Sequence, residues 1–475
     1  MLLVNFQSIR NKKPDLIALI NAHKPDVLAG TETWLTPDVK NGEIIPPELE
    51  YTIYRKDRPD GYGGVMLAVS NKILSVDLPS LTTDCEIMWA KLCIAGSPAY
   101  VAAYYRPHIS DEYSLTQLDL SLHKLNESIN NPLILLTGDF NLPGIDWSEN
   151  IVEHSSPFRA LHEYSLEILQ DHGLQQLVTF PTRKSNTLDL VSTNRPSFVL
   201  NIHSSAGLSD HDIICFEISA KVELTKQIPR SIYMYNKANW NALKEELTIL
   251  LTSDYNDPSE GTNTDQLWSK FRYSNAHVVD KPIPHKLTKA RRGLPWMNQN
   301  IKKLMRKRDR LYRLCRRSFS EAKYAEFKSL KHLVQKEIRS AYWSYTNNLI
   351  APEEHPHSNQ KRFWSYIKAL RRENTNIPVL NYNGSSHESS LDKAEVLNQQ
   401  FQSVFTKEPN SPLPDKGFSP YPTMCNINIS VEGIYNLLLN INPHKACGPD
   451  QIHGRVLKET ADVIALSYKL CFKVP

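Results

Sequence analysis

No two cysteines in this 475-residue chain stand in a C-x-x-C pair, and the seven present are scattered and odd in number. That spacing argues against a disulfide framework or a zinc site and predicts a reducing, intracellular setting, nucleus or cytoplasm. No apolar run approaches the ~20 residues that span a bilayer, so no membrane partner is expected. The opening Met1-Leu2-Leu3-Val4-Asn5 has no cationic leader and too short an apolar core for a signal peptide. It reads as a first strand, with little or nothing expected before the domain. No internal repeat is evident. A hydrophobic content of 41% and a mean hydropathy of −0.42 suit a soluble globular chain, and the length predicts two or three domains.

Charge is distributed unevenly. The net of +4 hides a stretch, 286–342, with eighteen Lys/Arg against four acids, a local +14 that leaves the rest at −10. A basic segment beside an acidic domain suits a nucleic-acid enzyme in which acids hold metal and bases hold phosphate. The same segment has Leu304, Leu311, Leu314, Leu330, Val334 and Ile338 at helical spacing, which predicts one or two long helices over 298–345. A solvated helix face is the plain reading of such a run. Interleaved Tyr312, Tyr324, Tyr342 and Trp343 favour a nucleic-acid contact instead.

Residues 1–220 alternate short apolar runs with turns. Leu133-Ile134-Leu135-Leu136, Gly64 to Val69 and Ile213 to Ile218 read as strands, several of them buried on both faces. Residues 159–172 have helical spacing and stop at Gly173. One α/β domain is expected here, ending where Ala220-Lys221-Val222 enters a polar stretch. The remainder divides into a linker (221–285), the basic helical segment (286–350), a second linker (351–390) and a final region (391–475).

Polar strings stand at the ends of the apolar runs: Asn5, Glu32-Thr33-Trp34, Tyr105-Arg106-Pro107, Gly138-Asp139-Phe140-Asn141, Asp189 and Ser209-Asp210-His211. Phosphodiester hydrolysis needs a metal, a base for water and fixed donors around phosphorus. Glu32 and Asp210 have the hard oxygens that suit Mg²⁺, with Mn²⁺ an alternative. Singly, most of these strings are unremarkable turns, and Gly138 to Asn141 fits an Asx turn as well as a site. Asp189 is the exception. A carboxylate inside an apolar strand is costly unless paired, and His211 is its candidate partner.

In order and spacing the six strings resemble the endonuclease/exonuclease/phosphatase family, a four-layer α/β sandwich of two packed sheets flanked by helices. The resemblance implies that Asn5 orients the catalytic aspartate or contacts the metal and that Glu32 binds the metal. It further implies that Tyr105, in preference to Tyr104, contacts the scissile phosphate. Asp139 then positions or deprotonates the attacking water, Asn141 stabilises phosphate, Asp189 and His211 form a dyad, and Asp210 lies near metal and leaving group. Asn5 to Lys12, Glu32 to Leu35, and Gly138 to Pro143 with Ile145-Asp146-Trp147 are similar to the non-LTR retrotransposon branch, chicken-repeat-like elements in particular. That branch implies a Mg²⁺-dependent nick in DNA that primes reverse transcription.

Downstream, Pro295-Trp296 and the basic helix resemble the segment between endonuclease and polymerase in such elements, where element RNA is an expected partner of 286–345. Leu391 to Glu395 with Phe401 and Phe405, then Lys445-Ala446-Cys447-Gly448-Pro449-Asp450, resemble the entry to a reverse transcriptase, although Gln451 replaces the usual glycine. No Asp-Asp dipeptide occurs, so a truncated fingers fragment without polymerase activity is expected. Two other classes remain open at this point: another phosphoesterase of the same fold, acting on abasic DNA or a small phosphate ester, and a relic that only binds nucleic acid. Residues 1–220 are expected to fold and cut alone.

Overall fold

The computed structural model describes the chain except residues 95–97, 155, 220–230, 256–263, 280, 288–293, 319, 351–355, 372–376, 378–379, 388, 406–416, 419–428, 446, 449, 451 and 472–475. The chain forms two units, Met1–Lys226 with Gly293–Thr406, and Gln227–Arg292 with Lys407–Pro475.

The first unit contains, in chain order, strands β1 (Leu2–Asn5), β2 (Val27–Thr31), β3 (Tyr51–Lys56), β4 (Val65–Ser70), β5 (Ser75–Asp77), β6 (Glu86–Leu92), β7 (Ala99–Tyr105) and β8 (Leu133–Asp139). The short β9 (Ile145–Asp146) and β10 (Ile151–Val152) follow, then β11 (Gln175–Gln176), β12 (Asp189–Thr193), β13 (Val199–Ser205) and β14 (Ile213–Ile218). One six-stranded sheet has the order β13-β14-β1-β2-β4-β3, and the other β11-β12-β8-β7-β6-β5. Each is mixed, with β1–β2 and β7–β8 the parallel pairs. Strand β8 is buried along its whole length, as expected of an apolar run covered on both faces.

Three apolar layers account for the stacking. Leu3, Ala29, Leu67, Val101, Leu135 and Val191 fill the space between the sheets. Leu16, Leu19 and Ile20 of α1 (Lys13–His23) cover one outer face. The other is covered by Leu115, Leu118, Leu122 and Leu125 of α3 (Glu112–Ser128) with Ile168 and Leu169 of α4 (Arg159–Asp171), after the short α2 (Asn41–Ile44). Each such leucine contributes roughly 1.5–3 kcal/mol through burial. This is the four-layer α/β sandwich. Pro14 starts α1, where a missing N–H costs nothing, and α4 ends two residues before Gly173, close to the expected stop.

The stretch 221–285, expected to be a linker, instead holds α5 (Trp240–Tyr255) and α6 (Thr264–Val279) in the second unit. Leu243, Leu247 and Leu251 repeat every four residues, a helical stripe too sparse to stand out in a polar stretch. It is buried with Phe271 and with Ile434, Leu438 and Ile464, nearly two hundred residues away. The basic segment is two helices, α7 (Gln299–Arg317) and α8 (Glu321–Ile350). They belong to the first unit: Ile301, Met305, Phe327, Leu330, Val334 and Ile338 pack together and against Ile17, Ala18 and Ala206. The second expected linker, 351–390, contains α9 (Pro356–Leu370) and a hairpin, Leu380–Tyr382 with Ser385–His387.

The final region divides as well. Helix α10 (Ser390–Ser403) lies in the first unit, while α11 (Val431–Leu439), α12 (Gly454–Glu459) and α13 (Ala461–Cys471) lie in the second. Ala446, Pro449 and Gln451 of the polymerase-like string fall outside the described residues. Among the described residues, no helix is long and apolar enough to cross a membrane.

Candidate active site

Strands β1, β2, β7 and β8 run to a common end, and β12 begins there. Asn5, Thr31, Tyr105 and Asp139 are the last residues of the first four, and Asp189 is the first of β12, directly opposite Asp139 in the ladder. Two closely packed sheets thus bring their polar termini together.

Asn5 is the joint between the sheets. Its Nδ2 donates to Glu32 Oε1 and to Asp139 Oδ2, both at 2.9 Å. Asp139 Oδ1 accepts from the Asn141 main chain at 3.1 Å. His211 Nδ1 lies 2.7 Å from Asp189 Oδ2 and 3.9 Å from Asp139 Oδ2, and all three side chains are nearly inaccessible. Burial pushes the Asp139 carboxyl up to about 8, with the Asp189 charge adding to it. Burial would lower the His211 imidazolium, but the carboxylates of Asp189 and Asp139 outweigh it and hold the ring up to about 9. The Tyr105 phenol donates to Glu32, and burial followed by the Glu32 and Asp139 charges raises it. Tyr104 faces the opposite way and bonds Ser114 inside the helix-side core.

Local backbone is strained at this end. Gln7, Ser8, Glu32, Trp34 and Asn141 all have positive φ, conformations that non-glycine residues keep only when their surroundings over-determine them. The main chain supplies the restraint through Ser8 N to Glu32 O (2.9 Å), Ile9 N to Thr33 O (3.0 Å) and Trp34 N to Gly63 O (2.8 Å). Gly138 has a different purpose. A Cβ there would sit 1.9 Å from the Tyr104 carbonyl oxygen, so only glycine lets β7 approach β8 just before Asp139.

Two expected residues are less available than the sequence suggests. Asp210 is not gathered in; its half-exposed carboxylate pairs with Arg183 at 2.7 Å. The bent loop buries His211 and leaves Asp210 at the surface beside Arg183. Asn141 donates its side-chain amide to the Arg106 carbonyl at 2.6 Å, which leaves one amide hydrogen for a ligand. Among the described residues, Glu32, Asp139 and His211 present ligand atoms within 4.8 Å of one another. Three carboxylates, counting Asp189, surround one imidazole, and Asp189 Oδ1 has no partner among the described residues. That surplus of hard, negative oxygens fits a divalent cation. A second group, Asp119, His123 and His172, is explained without one: His172 is satisfied by Asp119 at 2.8 Å and Asn126 at 3.0 Å.

Several supporting residues escaped the sequence reading. Arg106 is fully buried and donates to the carbonyls of Asp111 (2.9 Å), Phe140 (3.1 Å), Asn141 (3.3 Å) and Ile109, pinning the chain after β8. Lys12 Nζ holds the carbonyls of Phe6 (2.6 Å) and Gln7 (2.8 Å) just beyond Asn5. Thr182 Oγ1 accepts from the main chain of Leu188 and Asp189, and Ser209 Oγ donates to the Asn5 carbonyl at 2.7 Å. Only Arg106 carried a signal, as a cation at the end of an apolar strand.

Residues 99–215, from β7 into β14, match the family model described as "Endonuclease-reverse transcriptase". That similarity covers the stretch from β7 into β14, about a quarter of the chain. Asn5 and Glu32 lie outside the matched stretch. A second family model, "Female sterile protein K10 C-terminal domain", matches residues 297–357, which cover α7 and α8. No curated protein matches the chain.

Among solved structures, the domain is similar to the endonuclease domain of TRAS1, a telomere-specific non-LTR retrotransposon (16% identity, 47% of this chain and 97% of that one, TM-score 0.38). It is also similar to the 3′-5′ exonuclease NExo from Neisseria meningitidis (17%, 46% and 98%, 0.36) and to an AP endonuclease from Archaeoglobus fulgidus (18%, 46% and 98%, 0.34).

Proposed function

We propose that this chain is a Mg²⁺-dependent endonuclease that nicks DNA and leaves a 3′-hydroxyl to prime reverse transcription. The observation that carries the reading is the convergence of Asn5, Glu32, Asp139, Asp189 and His211, from both sheets, on one hydrogen-bonded cluster. Glu32, with Asn5 and Asp139 beside it, would hold the cation, which when bound supplies positive charge to the phosphate. Mn²⁺ offers the same chemistry. Asp189 occupies His211 Nδ1 and so fixes the ring, leaving Nε2 as the nitrogen that meets the substrate. Asp139, oriented by Asn5 and by the Asn141 main chain, takes the proton of the attacking water. Tyr105 would turn its one phenol hydrogen from Glu32 to the phosphate when the cation occupies Glu32, and Asn141 gives its remaining amide hydrogen.

DNA as substrate and the retrotransposon role are supported by the family description and by the motif words around Glu32 and Asp139. Exposed Lys303, Arg306, Lys307, Arg310, Arg313 and Arg317 on α7 form the basic face for DNA or element RNA. Leu391 to Glu395 and Lys445 to Asp450 are read as the entry to a reverse transcriptase, on those words alone.

The test uses the full chain and supercoiled plasmid. Nicking is expected with Mg²⁺, is lost on chelation, and leaves ends that a DNA polymerase extends. Glu32→Ala and His211→Ala should each slow it at least ~100-fold, roughly 3 kcal/mol of barrier. Undiminished cutting by either variant, or product ends that cannot be extended, overturns the reading.

A further inference from the structure

Asp189 opens β12 directly after a loop and His211 sits on a loop, and the α7–α8 pair touches both segments. Main-chain Asp212 N to Thr182 O (2.8 Å) joins the loop that carries His211 to the segment that leads into Asp189. Ser209 Oγ to the Asn5 carbonyl (2.7 Å) and the Arg183–Asp210 pair (2.7 Å) add ties within the sandwich, and further ones come from outside residues 1–220. Lys331 of α8 donates its ammonium to the Ser209 carbonyl at 2.6 Å, and Gln335 donates to the Leu208 carbonyl at 3.3 Å. Arg316 of α7 bridges the two segments, donating to the Pro181 carbonyl at 2.7 Å and pairing with the Asp212 carboxylate, which Tyr312 also contacts. Thr182, next to Pro181, is the residue whose hydroxyl accepts from Asp189 N at 3.1 Å.

Resting on the endonuclease reading above, we propose that α7–α8 is a positioning element of the active site, in which Lys331 and Arg316 fix the His211 loop against the segment entering Asp189. The helices are firm enough to do so. Val334 and Ile338 are buried against their neighbours, and Arg339 pairs with the buried Asp15 of α1 at 2.8 Å. A half-buried ammonium spent on a main-chain carbonyl is also poor packing. An apolar residue at that place would avoid the desolvation of a charge, whereas a charged donor fixes the carbonyl's position. Gly207 permits the arrangement, since a Cβ there would fall 1.6 Å from the His211 carbonyl oxygen. The loop folds back on itself at that point, and Lys331 and Gln335 add donors to its Ser209 and Leu208 carbonyls. The basic segment therefore has two separable roles, exposed cations on α7 for phosphate and Arg316 with Lys331 for the segments that carry the dyad.

Lys331→Met, Lys331→Arg and Arg316→Met in the full chain test this by two independent readouts. Amide hydrogen exchange over 207–212 is expected to accelerate about tenfold or more in the methionine variants, with β8 and α3 unchanged. The kcat for nicking should fall about tenfold or more while KM stays within about twofold, because misplacing a catalytic pair by an ångström costs rate rather than affinity. Lys331→Arg, which keeps a donor, should recover most of kcat. Unchanged exchange in both methionine variants overturns the clamp. Faster exchange with wild-type kcat, or a loss confined to KM, overturns the positioning role. A wild-type chain that does not nick overturns the functional reading instead, and exchange still decides whether the helices hold the loop.

Discussion

Asp189→Asn replaces the carboxylate beside His211 with a neutral amide of the same shape. In the native chain the imidazolium is raised from 6.5 to about 9 against the effect of burial, a bias of about 3 kcal/mol toward the charged ring. Asp139 is raised from 3.8 to about 8, by burial and then by Asp189. Both folded values lie above their unfolded ones, so the folded state holds more protons than the unfolded chain between pH 4 and 9. The stabilisation from the His211 pair is therefore complete below pH 6.5 and is lost as pH rises through about 9; the Asp139 contribution falls away over the lower part of that window. With asparagine at 189, burial dominates His211 and only Asp139 and Asp210 oppose it. Its titration should then fall below about 7, and stability should depend less on pH. The measurement is an NMR titration of ¹³Cε1-labelled histidine in metal-free full-length protein, with pulse proteolysis in urea at pH 6 and pH 9. A His211 that still titrates near 9 in the variant, or a wild type equally stable at both pH values, would refute this account of the dyad.

Gly138→Ala drives a methyl group into the Tyr104 main chain, which cannot move without parting β7 from β8; a loss of at least about 3 kcal/mol is expected, read as a lower urea midpoint or insoluble protein. Neutralising Lys303, Arg306, Lys307 and Arg310 on the exposed face of α7 should weaken DNA binding and reduce the slope of log affinity against log salt by about one for each phosphate left without its cation, leaving nick positions on a plasmid unchanged. Shifted nick positions would instead assign that face to target choice. Truncation at residue 226 uncovers Ile17, Ala18 and Ala206 and strips Asp15 of Arg339. The shortened domain should unfold at lower urea than the same domain in the full chain; an equal midpoint would show that the helices add nothing to it.

The strand-end positions of the cluster were legible in sequence because a strand is a local pattern. The apolar run Leu133–Leu136 predicts β8 and sets Asp139 at its exit, and the charge inside Asn186 to Val191 calls for a partner such as His211. Helix α4 was equally plain. What lay beyond reach was pairing over distance. Arg106 acts through four carbonyls supplied by the folded chain, and Asp210 is taken up by Arg183 from the segment before β12. Neither fact is encoded in the string that contains it. Helices α5 and α6 resembled a linker because their apolar stripe is sparse and its complement lies in 431–465. The same holds for α7–α8. Their charge and periodicity fixed two basic helices, but only the tertiary fold decided that one face would be buried against α1 with Lys331 at the Ser209 carbonyl. A sequence determines which residues can be strand, helix, ligand or cation through interactions a few residues long. Which of them meet is decided by burial of complementary apolar faces from distant segments, a choice that exists only once the layers are assembled.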